Sequence, residues 1–315
     1  MERAVRRRFI DSVGIVLAAA SRLKLTIAGD FPAWADRAEA CERAPPRLWA
    51  CYHDLVQAAM RDDFAAVERL AGELLGWDGS DASAGDVVTV APHDLGADAE
   101  RYIRLIDSDP ESPLGLIPVA PSETVRIAAL AVEARALLAE ACPDLLDEID
   151  TLGRQIVLAT NQGSRSFGGA ATVFLWGAVV LNPTRVPDRV TLVESLAHET
   201  AHALLFGLTL GADLTTNGPA ACFVSPLRPD PRPIEGIVHA TYVLARMNYA
   251  LEALRACSAL TQAERALIKA KLARNRASYE SGLATVDAYA RFTREGAAIF
   301  DACRRAMAVS AQPRC

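Results

Sequence analysis

Between the turn signals at Pro187-Asp188 and Gly211, one helix-length segment is apolar almost all the way round, and this feature constrains the fold more than any other. Leu192, Val193, Leu196, Ala197, Ala201, Leu204, Leu205 and Leu208 leave it no continuous polar face. A helix that is hydrophobic on every side has to be enclosed by other elements. The segment from about Asp188 to Leu208 nevertheless carries Glu194-Ser-Leu-Ala-His198-Glu199-Thr-Ala-His202. Two histidines and a glutamate in such a helix are either buried or line a cleft. Polar groups so placed need a common partner, since burying them unpaired is unfavourable.

The chain has only five histidines, at positions 53, 93, 198, 202 and 239. Composition alone therefore does not explain a pair four residues apart with a glutamate directly after the first. Residues four apart on a helix project from one face about one turn apart, which is the spacing at which two imidazoles can grip one cation. Glu199 lies close enough to reach a metal-bound water. The pattern H-E-x-x-H is the signature of zinc metallopeptidases, where the glutamate activates that water.

Two histidines do not complete a catalytic metal site, which usually has three protein ligands and an open position. The metzincin solution needs glycine at 205 and histidine at 208, and the chain has Leu205 and Leu208. The remaining candidates lie on the next helix, expected over Pro233 to Ala256, where Glu235 and His239 are again four apart. Glu235 as third ligand gives a two-histidine, one-glutamate Zn(II) site, or equally the two-histidine, one-carboxylate triad of non-haem iron. His239 instead gives three histidines. Spacing leaves both open. His53 and His93 are expected to be structural or surface residues.

The rest of the chain bounds the setting. Its 315 residues are 51% hydrophobic with a net charge of −6, which suits a globular protein of about two domains. Mild acidity argues against a nucleic-acid binder, because phosphate recognition needs a clustered positive field. No apolar run of about 18 residues exists, so no membrane span is expected. The basic, then apolar N-terminus superficially resembles a signal peptide. Asp11 and Ser12 interrupt its apolar run, however, and the spacing of Ile10, Val13, Leu17 and Leu23 predicts an amphipathic helix. Seven cysteines form no CxxC pair, so thiolate zinc sites and a disulfide framework are not expected, and a reducing cytoplasm is.

Coarse patterning predicts helices over Leu48 to Met60, Phe64 to Trp77, Ser122 to about Pro143, Pro143 to about Leu152, Thr261 to about Tyr279, and Ala284 to Met307. Val87 to Val90, Ile156 to Ala159 and Ala171 to Leu181 read as strands, and Pro110 to Pro121 as a linker. The expected fold is mainly α with a small β-sheet (α+β), the HExxH helix packed beside a short sheet in a unit compatible with a zincin-like arrangement. Residues 1–120 form a helical N-terminal region with no assignable motif, and 121–315 the HExxH metal-binding catalytic domain.

From about Ala129 to Ala256 the chain resembles the HExxH-motif proteins found with ribosomally made, post-translationally modified peptides, described as α-ketoglutarate-dependent HExxH-type peptide β-hydroxylases. The resemblance rests on Pro143-Asp-Leu with the segment from Ser164 to Gly177, on the run from Leu192 to Leu205, and on Leu227-Arg228-Pro-Asp-Pro-Arg232-Pro-Ile-Glu-Gly236-Ile-Val-His239-Ala-Thr-Tyr242. The last block is the most specific. What the resemblance implies is Fe(II) held by His198, His202 and His239, with Glu235 outside the pattern. Arg232 and Arg228 are then implied to anchor the distal carboxylate of 2-oxoglutarate, a task suited to guanidinium's planar, permanently charged fork. The implied reaction consumes 2-oxoglutarate and oxygen, releases succinate, and hydroxylates a β-carbon of a precursor peptide. Glu199 would orient a ligand or a water, and the peptide would lie along the Ala171 to Leu181 strand by β-augmentation. Two other readings stand beside this one. They are a zinc metallopeptidase with His198, His202 and Glu235 as ligands, and a non-enzymatic helical protein binding a peptide or partner.

Overall fold

Caps written into the sequence open several of the helices. A computed structural model describes residues 1–41, 44–79, 88–90, 98–108, 113–162, 166–225 and 231–310. It is mainly α-helical with small sheets, and it divides into two compact units.

The first unit comprises Met1–Thr124 and Asp150–Asn182. Its helices are α1 (Glu2–Arg22), α2 (Phe31–Ala40), α3 (Pro46–Met60), α4 (Phe64–Leu75) and α5 (Asp98–Ile106). Asp30 and Asp63 cap α2 and α4 by accepting from the Ala33 and Ala66 amides, satisfying donors that a helix start leaves without partners. Pro46 occupies the first turn of α3, where its missing N–H is no loss. The segment with the signal-peptide-like composition is α1: of the expected apolar stripe it buries Ile10 and Val13, together with Val5 and Phe9, while Leu17 is half-buried and Leu23, beyond the helix end, is exposed. Phe9 stacks on Trp49 with ring centroids 4.0 Å apart.

The sheet of this unit is built around β3 (Gln155–Asn161). On one side β3 pairs in parallel with β5 (Ala178–Leu181). On the other it pairs with β1 (Val88–Val90) in parallel along its first half, and its second half pairs with β2 (Leu116–Pro118) in antiparallel. The stretch from Pro110 to Pro121, expected as a linker, thus holds a strand, with Pro118 at its end and on the sheet edge, where a missing N–H is tolerated. The two-residue β4 (Gly169–Ala170) covers the outer side of β5. Only the last four residues of the expected Ala171 to Leu181 strand form a strand. Thr172 caps a single 3-10 turn at Val173–Leu175, and Gly177 turns the chain at φ +88°. That φ favours glycine, and a Cβ there would also lie 2.7 Å from the Arg154 guanidinium and displace it. β5 is buried throughout, pairs with β3 along its whole length and with β4 at Val180 and Leu181, and so offers little open edge for β-augmentation by a peptide.

The second unit comprises Val125–Ile149 and Pro183–Cys315. It contains most of α6 (Pro121–Ala141) and α7 (Pro143–Leu152), then α8 (Arg189–Thr209), a hairpin of β6 (Cys222–Phe223) and β7 (Arg232–Pro233), α9 (Ile234–Leu254), α10 (Gln262–Tyr289) and α11 (Arg294–Ser310). Asp188 caps α8 through the Thr191 amide at 2.7 Å, and a Thr261–Glu264 capping box opens α10. The break expected near residues 280–283 is absent. Gly282 is buried inside α10, and the chain turns later, at Ala290–Thr293, where Thr293 Oγ1 accepts from the Gly296 amide. The chain passes between the units at 124/125, within α6, at 149/150, within α7, and at 182/183, on the Asn182-Pro183 turn signal.

The core of the second unit joins Ala201 and Leu205 of α8 to Ile237, Val238 and Val243 of α9 and Phe300 of α11. The largely apolar helix is therefore enclosed over most of its length, with Leu208 near its end 49% exposed. The six cysteines among the described residues are free thiols, and no described helix is long and apolar enough to cross a membrane.

Candidate metal centre

The enclosed helix α8 presents Glu194, His198, His202 and Phe206 at successive four-residue steps. Glu194, 5% exposed, is explained by structure. It accepts from Lys271 Nζ at 2.5 Å, Asn275 Nδ2 at 2.7 Å and Arg274 at 3.2 Å, all on α10. Among the described residues, no comparable set of donors meets His198 or His202.

His198, Glu199 and His202 each offer an atom that could ligate a metal, and these atoms all lie within 4.8 Å of one another. Glu199 is 5% exposed, and its Oε1 lies 3.9 Å from His198 Nε2. The two imidazoles are half-buried, with ring centroids 5.2 Å apart. His198 Nδ1 lies 3.3 Å from the thioether of Met247 on α9, a contact that holds the ring without taking a strong hydrogen bond. Burial pushes the His198 imidazole down to about 4, against a small opposing pull from Glu194. His202 is pushed to about 3, by burial first and then by His198 and His239. Burial alone raises Glu199 to about 8. Near neutral pH both histidines thus keep a free lone pair, and burial favours the neutral form of the carboxyl beside them. Two neutral imidazoles with a carboxyl that a cation's charge would ionise form a donor set that fits a divalent metal.

His239 lies on α9, on the turn that meets Phe206, with ring centroids 6.0 Å apart. It does not join the 4.8 Å group, although it is near enough to His202 to act on its charge. Its Nε2 is 3.5 Å from Glu235 Oε1. Glu235 is occupied: Oε1 accepts from the Leu214 amide at 2.8 Å, and Oε2 from the Thr215 amide at 3.0 Å and hydroxyl at 2.6 Å. Burial would raise its carboxyl, but hydrogen bonds from His239, Thr215 and Leu214 hold it down at about 2.

Arg232 lies on β7, opposite Phe223 of β6 and two residues before α9 begins. Its side chain is half-buried and runs back beside Gly236, where an added Cβ would meet its Cβ at 3.9 Å. Arg228 falls outside the described residues, as do His93 and Ser164. His53 is in the first unit, where its ring lies 4.4 Å from that of Phe174. Sequence reasoning missed Met247 and the engagement of Glu235 with Leu214 and Thr215. No local pattern marks either, because both contacts join segments far apart in the chain. Compared with models of known protein families and with curated proteins, the chain matches none.

Proposed function

We propose that the chain is an Fe(II)/2-oxoglutarate-dependent hydroxylase acting, in the cytoplasm, on the β-carbon of a residue in a ribosomally synthesised precursor peptide. The carrying observation is the close grouping of His198, Glu199 and His202 in a helix otherwise built to be enclosed. Neutral imidazole nitrogens suit Fe(II) as well as Zn(II), so the choice of iron rests on the sequence resemblance of the Arg228 to His239 block. With 2-oxoglutarate, bound iron supplies the oxidising chemistry that places one oxygen atom on a C–H carbon.

The chain's own residues then have separate tasks. His198 and His202 hold the metal from one helix face, and His239 is the third ligand. Arg232 and Arg228 hold the distal carboxylate of 2-oxoglutarate, with Arg232 fixed on a hairpin ahead of the helix that carries His239. The apolar surroundings of α8 keep bulk water away. Glu199 orients a ligand or a water at the metal. Unchanged metal occupancy together with unchanged turnover in Glu199→Gln would count against that role.

A zinc peptidase is the reading that Glu199 alone favours, since a glutamate directly after the first histidine of H-E-x-x-H is placed to activate a metal-bound water. Its third ligand would be Glu235, and both oxygens of that carboxylate already accept from Leu214 and Thr215. The deciding experiment loads anaerobically purified protein with Fe(II), then adds 2-oxoglutarate, oxygen and the precursor peptide encoded beside the gene. Expected are a one-oxygen mass gain on the peptide and release of succinate. Peptide cleavage with Zn(II) and no need for 2-oxoglutarate would refute the proposal.

A further inference from the structure

We infer that Glu235 is a positioning residue for His239, fixing which imidazole nitrogen is left to face the cation. The inference rests on the metal-centre reading above. The carboxylate is held independently of the histidine: three donors from Leu214 and Thr215 converge on its two oxygens at 2.6 to 3.0 Å. Those donors are themselves anchored. Leu214 accepts from the Thr293 amide at 2.9 Å, Thr216 donates to the Arg291 carbonyl at 2.7 Å, and the first turn of α11 lies so close that a Cβ on Gly296 would be 2.0 Å from the Leu214 carbonyl oxygen. A continuous run of contacts thus leads from the α10–α11 turn through Leu214 and Thr215 to Glu235.

From this fixed point Glu235 Oε1 faces His239 Nε2 at 3.5 Å. An imidazole nitrogen that faces an ionised carboxylate carries the ring proton, so the lone pair sits on the other nitrogen, here Nδ1. Metal-binding histidines characteristically donate their second ring N–H to a carboxylate or carbonyl, and losing that partner weakens metal binding. Glu235 supplies this carboxylate from one turn earlier on the same helix. It is the negative end of a bracket, and a carboxylate already committed to three donors is poorly placed to leave them for a metal.

The test uses the metal-free full chain and Co(II), whose visible absorption reports its ligands, with affinity read by competition against a chromophoric chelator. Glu235→Gln is expected to weaken Co(II) binding by about 10- to 100-fold and to shift the visible bands in the same direction as His239→Ala. Thr215→Val removes one donor to Glu235 while leaving every charge in place. It is expected to give a smaller loss and a shift of the same sign, and it serves as the second probe should Glu235→Gln fold poorly. A role confined to anchoring the loop would lower the thermal midpoint of the metal-free protein and leave the Co(II) spectrum unmoved, which overturns the inference. Tighter Co(II) binding in Glu235→Gln also overturns it, because Glu235 would then be holding His239 away. So does a silent His239→Ala beside a damaging Glu235→Gln, because Glu235 would then be the ligand. If His198→Ala and His202→Ala abolish binding while Glu235→Gln and Thr215→Val match the wild type, this inference alone fails. If the wild-type chain takes up no Co(II), the metal-centre reading fails with it.

Discussion

Replacing Lys271 with methionine removes the shortest of the three donors to Glu194, and the consequence can be sized from the surroundings. Glu194 on α8 and Lys271 on α10 are 5% and 7% exposed, with Nζ and Oε2 2.5 Å apart. Methionine fills most of the lysine stem's volume, so little packing is lost and the change is mainly electrostatic. The carboxylate would keep Asn275 Nδ2 at 2.7 Å and the Arg274 guanidinium at 3.2 Å, the latter on a side chain 62% exposed and therefore screened. Breaking a buried ion pair by removing one partner costs about 3–5 kcal/mol. The two surviving donors put the expected loss at the lower end, about 3 kcal/mol. Adding Glu194→Leu should recover most of it, because an apolar pair replacing a buried ion pair is often neutral or stabilising. Urea unfolding should be followed by far-UV circular dichroism, since all four tryptophans, at 34, 49, 77 and 176, lie in the first unit. A loss below about 1 kcal/mol in the single variant, or a double variant no better than the single, would refute the reasoning.

Three further outcomes are expected. Co(II) at a hundredfold excess over its dissociation constant should stabilise the wild-type chain by about 2.7 kcal/mol, visible as a raised thermal midpoint, and His198→Ala or His202→Ala should abolish that rise. Glu264 is held at about 2, below the ordinary value of 4.5, by hydrogen bonds from Arg189 and Thr261 that outweigh its burial. Because its folded value is the lower one, its contribution is complete above about pH 4.5 and fades as pH falls toward 2, so thermal midpoints of Glu264→Gln should vary less with pH across that window. Gly296→Ala should cost about 2 kcal/mol or more, seen in urea unfolding, because the new Cβ would lie 2.0 Å from the Leu214 carbonyl oxygen and only backbone movement relieves that.

Helix content and the pair on α8 were legible because their determinants are local. The Thr261–Glu264 box, the Asp188 cap and the four-residue step from His198 to His202 are all contained within a turn or two of chain. Other features depend on partners that lie far off. Pro118 reads as linker until β3 is placed beside it, and Gly282 reads as a stop until its burial within α10 is seen. The turn that does end α10, Ala290-Arg291-Phe292-Thr293, has neither glycine nor proline and is held by bonds to Leu214, Thr216 and Asn217. Glu235 is the sharpest case. Its spacing to His239 was visible and suggested a shared metal, yet its role depends on two residues of an irregular segment about twenty positions earlier. The grouping of β3 to β5 with the first unit is equally non-local, since strand partners and not composition decide it.

The chain crosses from one compact unit to the other three times, at 124/125, 149/150 and 182/183. During synthesis the first unit therefore lacks its central strand until about residue 161 has emerged, and in the meantime α6 and the start of α7, which belong elsewhere, are already made. Cutting the gene at any single point would leave both products short of part of a unit. Separate expression of either unit calls for a rejoined chain, with 124 linked to 150, or 149 to 183, across a designed connection. Because the passage at 149/150 lies inside α7, where Ile149 and Leu152 are buried, an insertion there would interrupt a helix and not merely lengthen a connection.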